Sequence, residues 1–317
     1  MVNAPTDVLR LLCLPLFGWA AYRDLRTRRV PNRTWLPLFL LGGVLLVWDG
    51  WNTSTLPAAE RLLALRVAIS IGVLVPFCYL FWRFGAFGGA DAKALTVLCV
   101  LFPTVPSFSL AHSVTLPLAE ASGVFSLTIL TNAALLGGTY PLVLFAQNAR
   151  AGRFSLVGFV GKPVEWNAIS KTYGRMLAGA NGLDRGIDLD ALRMYLVWRD
   201  TTLRELRAAP DSFRDPASLP SERNAPGDGA VGPIADGGTS ECAPDPWGAK
   251  AFLADIDGDA YGTTPASLRA VLDTLTSSET IWVSPGIPFL VPLFCGLCVA
   301  LVYGDLLYAV MGVLGVF

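Results

Sequence analysis

Long runs of apolar residues constrain this chain more than any other feature of its sequence. Of its 317 residues, 53% are hydrophobic and only 15% are charged, and the mean hydropathy is +0.51. A helix needs about 20 mostly apolar residues to cross about 30 Å of hydrocarbon, because each helical residue rises about 1.5 Å. The sequence therefore predicts a protein whose solvent is the lipid bilayer, and it argues against an ordinary soluble enzyme.

Six segments are apolar enough to be membrane spans. They are residues 8–22, 35–48, 62–82, 94–110, 123–146 and 286–313, of which the second and fourth are short. The first has one arginine and one aspartate ahead of it and no small-residue cleavage site after it, so we interpret it as a retained helix. The predicted fold class is an all-α polytopic membrane protein of about six transmembrane helices.

A polar segment, residues 149–284, separates the fifth and sixth predicted spans and is long enough to fold as a domain. Within it, residues 164–207 mix helical periodicity with Gly and Asp turns, which predicts a mixed α and β structure. Residues 210–246 are rich in Pro, Gly, Asp and Ser, which predicts a disordered loop. The predicted organisation is a membrane domain at 1–148, a cytoplasmic insert at 149–284 and a sixth transmembrane helix within 285–317.

A cluster of arginines sets the predicted orientation in the membrane. Between the first two predicted spans lie Arg23, Arg26, Arg28, Arg29 and Arg33. The positive-inside rule places this loop in the cytoplasm, and alternation then places the insert there too. Arginines beside a span usually mark topology or contact lipid head groups, so we expect the lipid bilayer, and not nucleic acid, as their partner.

The sequence supplies few residues for metal or nucleophilic chemistry. Its six cysteines are scattered, at Cys13, Cys78, Cys99, Cys242, Cys295 and Cys298. Five lie in apolar stretches and are interpreted as buried thiols, and the single C-x-x-C is only half of a zinc site with four ligands. His112 is the one histidine, and the predicted topology places it on the outer side, so neither a Ser-His-Asp triad nor a metal site with several histidines is expected. We predict no metal and no cofactor.

Three aspartates lie at or near the predicted spans, where charge is costly and usually functional. Asp24 follows the first span in AAYRDLRTRRVPN, Asp91 precedes the fourth in FGAFGGADAKAL, and Asp305 lies within the last in VYGDLLY. The predicted topology puts Asp24 and Asp91 at the same cytoplasmic face. Two such carboxyl groups can hydrolyse a peptide bond, because the ionised one activates a water while the protonated one polarises the carbonyl.

The residues around Asp91 allow two interpretations. Gly88, Gly89 and Ala90 have little or no side chain, so an extended substrate backbone could approach closely. Alternatively, the three residues form a tight turn between helices and Asp91 caps the helix that follows. Lys93 either lowers the cost of a negative charge on Asp91 or marks topology and contacts lipid phosphate.

Together these motifs resemble the archaeal prepilin and preflagellin peptidases, which are GxGD membrane aspartyl proteases. The resemblance rests on AYRDLRTRRVPN, on FGGADAKAL, and on WVSPGIPFLVPLFCG followed by YGD, in family-like order and spacing. It implies that Asp24 and Asp91 are the catalytic aspartates and that residues 88–90 form the GxGD-type turn. Ala90 stands where the motif has its second glycine, which tightens the site slightly.

The resemblance also implies a function. The expected activity is an endopeptidase that removes short basic leader peptides from prepilins and archaellin precursors at the cytoplasmic face of the cell membrane. Bacterial relatives also methylate the new N-terminus and carry a zinc-binding loop with two C-x-x-C pairs, which this sequence lacks, so we expect no methyltransferase activity.

Two other functions remain as alternatives. In an ion-coupled transporter, the three aspartates would line an ion path, but two of them lie at span ends and no inverted repeat is evident. A non-catalytic pilus-assembly membrane protein would keep the fold without the chemistry.

Overall fold

The structure, a computed structural model, is mostly helical and divides into two compact units. It describes residues 5–53, 56–84, 87–110, 114–119, 123–178, 184–219, 245–256, 260–286 and 288–315. The first unit comprises Met1–Tyr140 and Ile287–Phe317, and the second comprises Pro141–Gly286. The second unit includes the predicted insert, residues 149–284, together with residues 141–148.

Seven helices and a strand pair lead from the start of the chain into the second unit. The helices are α1 (Pro5–Arg10), α2 (Cys13–Thr27), α3 (Trp35–Thr53), α4 (Pro57–Ile69), α5 (Val75–Arg83), α6 (Gly89–Leu101) and α7 (Phe125–Arg150). Strands β1 (Phe108–Leu110) and β2 (Val114–Leu116) pair antiparallel.

The second unit is a small α and β structure. Its helices are α8 (Trp166–Ile169), α9 (Leu189–Trp198), α10 (Leu203–Ala208), α11 (Pro210–Arg214), α12 (Ala249–Ala254) and α13 (Pro265–Ser277). Its strands are β3 (Lys162–Glu165), β4 (Arg175–Ala178), β5 (Asp184–Asp188) and β6 (Thr280–Ser284). They form one antiparallel sheet in the order β3-β6-β4-β5. Buried Tyr195, Trp198 and Phe252 anchor its hydrophobic core.

The chain returns to the first unit as α14 (Leu290–Val302) and α15 (Leu306–Val313). These two helices are bent by 74° at a short break. Gly304 lies in the break with a φ of 113°, a backbone conformation that residues with a side chain rarely adopt.

Three helical stretches in the described part of the chain are each long and apolar enough to cross a membrane. They are Asn32–Thr53, Pro57–Arg83 and Phe125–Arg150. The second joins α4 and α5 through a π-helical turn at Ser70–Leu74. These stretches coincide with the second, third and fifth predicted spans.

The other three predicted spans are not single long helices. Residues 8–22 are divided between α1 and α2, and residues 286–313 between α14 and α15. The fourth span, predicted over 94–110, ends as a helix at Leu101, because Pro103 disfavours helical backbone in the residue before it. The prediction of six transmembrane helices therefore stays a prediction.

The loop predicted over residues 210–246 is also shorter than expected. Helix α11 and a 3-10 turn at Pro216–Ser218 occupy its beginning, and Trp247 is buried just after its end. Residues 220–244 lie outside the described residues. Composition counts Pro210 as a loop residue. In the structure it lies in the first turn of α11, where its missing N–H is not needed, so composition alone did not predict this helix.

Close backbone contacts hold the helices of the first unit together. A Cβ added at Gly296 of α14 would lie 2.7 Å from the backbone nitrogen of Ala133 in α7, and one at Gly42 of α3 would lie 3.3 Å from that of Leu101 in α6. Small residues allow such approach, which is the usual way in which membrane helices pack tightly. The buried core between these helices includes Phe17, Leu38, Leu98, Phe125 and Leu297.

Candidate functional site

Asp24 lies in the last turn of α2 and is largely buried, with 8% of its surface exposed. Helices α2 and α14 pack against each other, so that Gly18 faces Phe294 and the Asp24 carboxylate accepts a hydrogen bond from the backbone N–H of Leu290. Asp24 Oδ2 is buried and has no hydrogen-bond partner among the described residues. A buried, half-satisfied carboxyl group is costly, which is typical of a functional group.

Asp91 lies in the first turn of α6, and its Oδ2 accepts the backbone N–H of Gly88 at 3.0 Å. The free amides at a helix N-terminus favour a carboxylate at this position. The capping role considered from the sequence is therefore present in the structure. It does not exclude a chemical role, because this cap uses only one of the two carboxyl oxygens.

The fold brings the carboxyl groups of Asp24 and Asp91 into electrostatic contact. Both lie outside the three long apolar stretches and beyond the ends of the predicted spans. Burial and the neighbouring Asp24 carboxylate raise the pKa of Asp91 to about 7, against the effect of the Gly88 N–H. Burial also raises the pKa of Asp24, although Arg28 and the Leu290 N–H act in the opposite direction. Two interacting carboxyl groups of this kind titrate as a pair and can share one proton near neutral pH.

Arg28 is the cation that acts on this pair. It ends α2 in the left-handed conformation, with a φ of 56°, and its backbone N–H donates to the Asp24 carbonyl oxygen at 3.0 Å. Its positive charge acts against burial and makes the rise in the pKa of both Asp24 and Asp91 smaller. Sequence reasoning missed this role, because Arg28 was one of five arginines interpreted together as a topology signal. Its spacing of four residues from Asp24, one helical turn, was the available clue.

Lys93, for which the sequence suggests a supporting role beside Asp91, has another partner in the structure. Its Nζ donates to Asn32 Oδ1 at 2.6 Å and ties the start of α6 to the turn that follows α2. Within the described part of the chain, the charges that shift the pKa of Asp91 are those of Asp24 and Arg28. A contribution of Lys93 to the chemistry stays a prediction.

The three small residues before Asp91 differ in their surroundings. A Cβ added at Gly88 would lie 2.9 Å from Asp91 Oδ2, whereas one at Gly89 would meet only Trp82 Nε1, at 3.6 Å. Ala90 is partly buried against the core of the first unit. Gly88 is therefore the position where a side chain would push on the Asp91 carboxylate.

Asp305 lies at the break between α14 and α15 and is not among the groups that shift the pKa of Asp24 or Asp91. It is buried and caps α15, because its Oδ1 accepts the backbone N–H groups of Leu307 at 2.9 Å and Tyr308 at 3.3 Å. The amide of Asn132 spans the same break, donating to the Gly304 carbonyl and accepting the N–H of Leu306. The tertiary structure thus uses Asp305 to satisfy backbone groups exposed at the bend between α14 and α15.

Among the described residues, no group of three or more His, Cys, Asp or Glu side chains is arranged to hold a metal ion. Of the five cysteines interpreted as buried thiols, Cys13, Cys78 and Cys99 are buried. The interpretation is wrong for Cys295, which is exposed on α14, and for Cys298, which is partly exposed. His112 lies outside the described residues.

Comparison with protein-family models gives two matches. Residues 11–142 match the type IV leader peptidase family, and residues 250–306 match the type II C-terminal region of archaeal A24 peptidases. The first match contains Asp24, Gly88 and Asp91, and the second contains Leu290 and Asp305. No curated protein matches the chain significantly.

Proposed function

Since the chain belongs to the type IV leader peptidase family in its archaeal form, we propose that it is an aspartic endopeptidase that cleaves basic leader peptides from prepilin and archaellin precursors. The observation that carries this proposal is the electrostatic contact between Asp24 and Asp91, two partly buried carboxyl groups on different helices. A pair that holds one proton is suited to hydrolysis by an activated water.

The surroundings of the two carboxyl groups support different roles for them. Asp24, which receives the Leu290 N–H, is the ionised base that removes a proton from water. Asp91, whose pKa is raised to about 7, carries the proton that it donates to the scissile carbonyl oxygen. Water oxygen then bonds to the carbonyl carbon. As the resulting intermediate collapses, the proton on Asp24 passes to the leaving nitrogen and Asp91 recovers its own.

The charge distribution supports cleavage at the cytoplasmic face of the cell membrane by a multi-pass protein. The arginine cluster at 23–33 follows Asp24 immediately, and Arg150, Arg153 and Lys162 follow α7. By the positive-inside rule, both regions belong to the cytoplasm. Since the sequence contains a single C-x-x-C, we propose peptidase activity without methylation of the new N-terminus.

Cleavage of a synthetic precursor peptide by the purified full-length protein tests the proposal. We expect one cut at the junction between the basic leader and the apolar segment, identified by mass spectrometry. Added S-adenosylmethionine should leave the product unmethylated. The matched control is the same peptide with its leader lysines and arginines replaced by alanine. A folded, monodisperse protein that leaves a panel of such precursors intact would refute the proposal.

The activity is expected to follow a bell-shaped pH profile, and the charge of Arg28 is expected to set the pH at which activity is highest. Activity should fall at acid pH as Asp24 becomes protonated, and fall as pH rises above the raised pKa of Asp91, about 7. Arg28→Gln removes a charge that lowers both pKa values, so both limbs should move to higher pH.

The control for this shift is Arg33→Gln, which removes an exposed cation from the same loop. The measurement is kcat/KM against pH for the wild type and both variants. Equal shifts in both variants would mean that general loop charge, and not Arg28, tunes the pair.

Gly88→Ala is expected to lower kcat by about 10-fold or more without loss of folding, because misplacing a catalytic group by about 1 Å has effects of this order. The new methyl group would press on Asp91 Oδ2, at 2.9 Å, while the φ of −67° suits alanine. Gly89→Ala is the matched control, since its methyl group has room. Steady-state kinetics and thermal unfolding of both variants check this, and equal activities would show that Gly88 does not position Asp91.

A further inference from the structure

The segment that follows α7 turns large apolar side chains outward. Phe154 is 77% exposed and Leu156 is 73% exposed, and Val160 is exposed as well. A single exposed apolar residue is ordinary on any protein surface. Three within one short segment are more than such isolated exposure, and clusters of exposed apolar side chains mark interaction surfaces.

This segment is held firmly against the end of α7. The buried side chain of Asn148 donates hydrogen bonds to the carbonyl oxygens of Gly158 at 3.0 Å and Gly161 at 2.9 Å. The rings of Phe145 and Phe159 stack in parallel, with centroids 4.1 Å apart. The outward side chains are therefore presented by an ordered support.

The local fold decides which side chains face outward. A 3-10 turn at Leu156–Phe159 begins with Ser155, whose Oγ accepts the backbone N–H of Val157. Val157 is buried by this turn, whereas Leu156 and Val160 are left on its open side. Among the described residues of the second unit, none covers these apolar side chains enough to bury them.

The same segment carries only positive charge. Residues 150–162 contain Arg150, Arg153 and Lys162 and no Asp or Glu, although the whole chain has a formal net charge of −1. All three cations are exposed. Exposed cations beside exposed apolar side chains are suited to an anionic lipid surface, where phosphate groups lie next to hydrocarbon.

The position of the segment favours a lipid surface as the partner. It begins where α7 ends, and Phe125–Arg150 is long and apolar enough to cross the membrane. We infer that residues 150–162 form a membrane-contact surface, whose three apolar side chains enter the head-group region while its three cations bind phosphate groups of anionic lipids. The Asn148 contacts keep this surface in the orientation that the end of α7 gives it.

Photo-crosslinking in the full-length protein tests this inference. p-Benzoylphenylalanine at position 154 is compared with the same group at position 279, in nanodiscs of phosphatidylcholine and phosphatidylglycerol. Glu279 is exposed, and it lies beyond the end of β3 that is farther from Lys162, because Thr280 pairs with Glu165. We expect several-fold more lipid adduct at 154 than at 279. Equal lipid yields, or adducts at 154 to peptides of another protein copy, would overturn the inference.

A second arm tests the cations. In the wild-type background, adducts at position 154 should contain more phosphatidylglycerol, relative to phosphatidylcholine, than the bilayer does. In the variant Arg150→Gln, Arg153→Gln, Lys162→Gln, adducts at 154 should persist, but their ratio of the two lipids should equal that of the bilayer. Arg204→Gln with Lys250→Gln removes two exposed cations elsewhere in the second unit and should leave the excess unchanged. An unchanged lipid ratio in the triple variant would overturn the role given to the cations. Monodisperse elution and wild-type thermal unfolding establish that each variant is folded.

Discussion

Asparagine at position 24 or position 91 is expected to abolish leader cleavage while the protein stays folded and inserted. Asparagine has nearly the shape of aspartate but neither ionises nor shares a proton, so the activated water is lost. General acid and base catalysis by a positioned group contributes about 100-fold to 10,000-fold, which sets the scale of each loss. The double variant should be no worse than either single variant, because the two residues act as one unit.

Asp305→Asn is the matched control for these variants. Asparagine keeps the oxygen that accepts the Leu307 and Tyr308 N–H groups, and asparagine is itself a good helix cap. A hydrogen bond between membrane helices contributes about 1 kcal/mol, so at least part of the activity should remain. Cleavage rates of the purified variants on the precursor peptide provide the measurement.

Metal chelators should leave the wild-type rate unchanged, because the proposed mechanism uses no metal-bound water. Two outcomes would contradict the aspartate-pair mechanism. One is substantial cleavage by either single asparagine variant, and the other is inhibition by a chelator that added zinc reverses.

Arg10→Met is expected to destabilise the first unit by about 3 to 5 kcal/mol, the usual cost of removing one partner from a buried ion pair. Only 1% of Arg10 is exposed, and its guanidinium forms ion pairs with Asp7 and Asp49 and donates to the Leu101 carbonyl oxygen at 2.7 Å. The substitution leaves both carboxylates without their cation. Thermal unfolding in detergent should show a midpoint lower by roughly 10 °C.

The control for Arg10→Met places it in an Asp7→Asn, Asp49→Asn background. Neutral side chains need no cation, so in this background the unfolding midpoint should return most of the way to the wild-type value. An Arg10→Met protein with an unchanged midpoint would show that the buried ion pairs contribute little. Equal losses in the single and triple variants would assign the effect to the Leu101 hydrogen bond and to packing.

The family was predictable from short motifs, and the two family matches confirm it. Asp24 and Asp91 were candidates because each stands beside an apolar run, where a charge is costly. Their catalytic roles stay predictions. Arg28 was not distinguishable from its neighbours, because only the left-handed end of α2 turns its charge toward the two carboxyl groups. The pairing of Lys93 with Asn32 was equally hidden, since it depends on how α6 meets the turn after α2.

By itself, the sequence predicted a membrane protein, the three long apolar helices and a polar insert. These properties follow from hydropathy and composition, which add up residue by residue along the chain. Only the tertiary structure decided where the helices break, which charges meet and which aspartate serves as a cap. Asp305 shows the difference: its sequence context marks a costly charge, but its use depends on the bend at Gly304 and on Asn132 from a distant helix. Such contacts depend on packing between segments far apart in the chain, and local hydropathy carries no information about them.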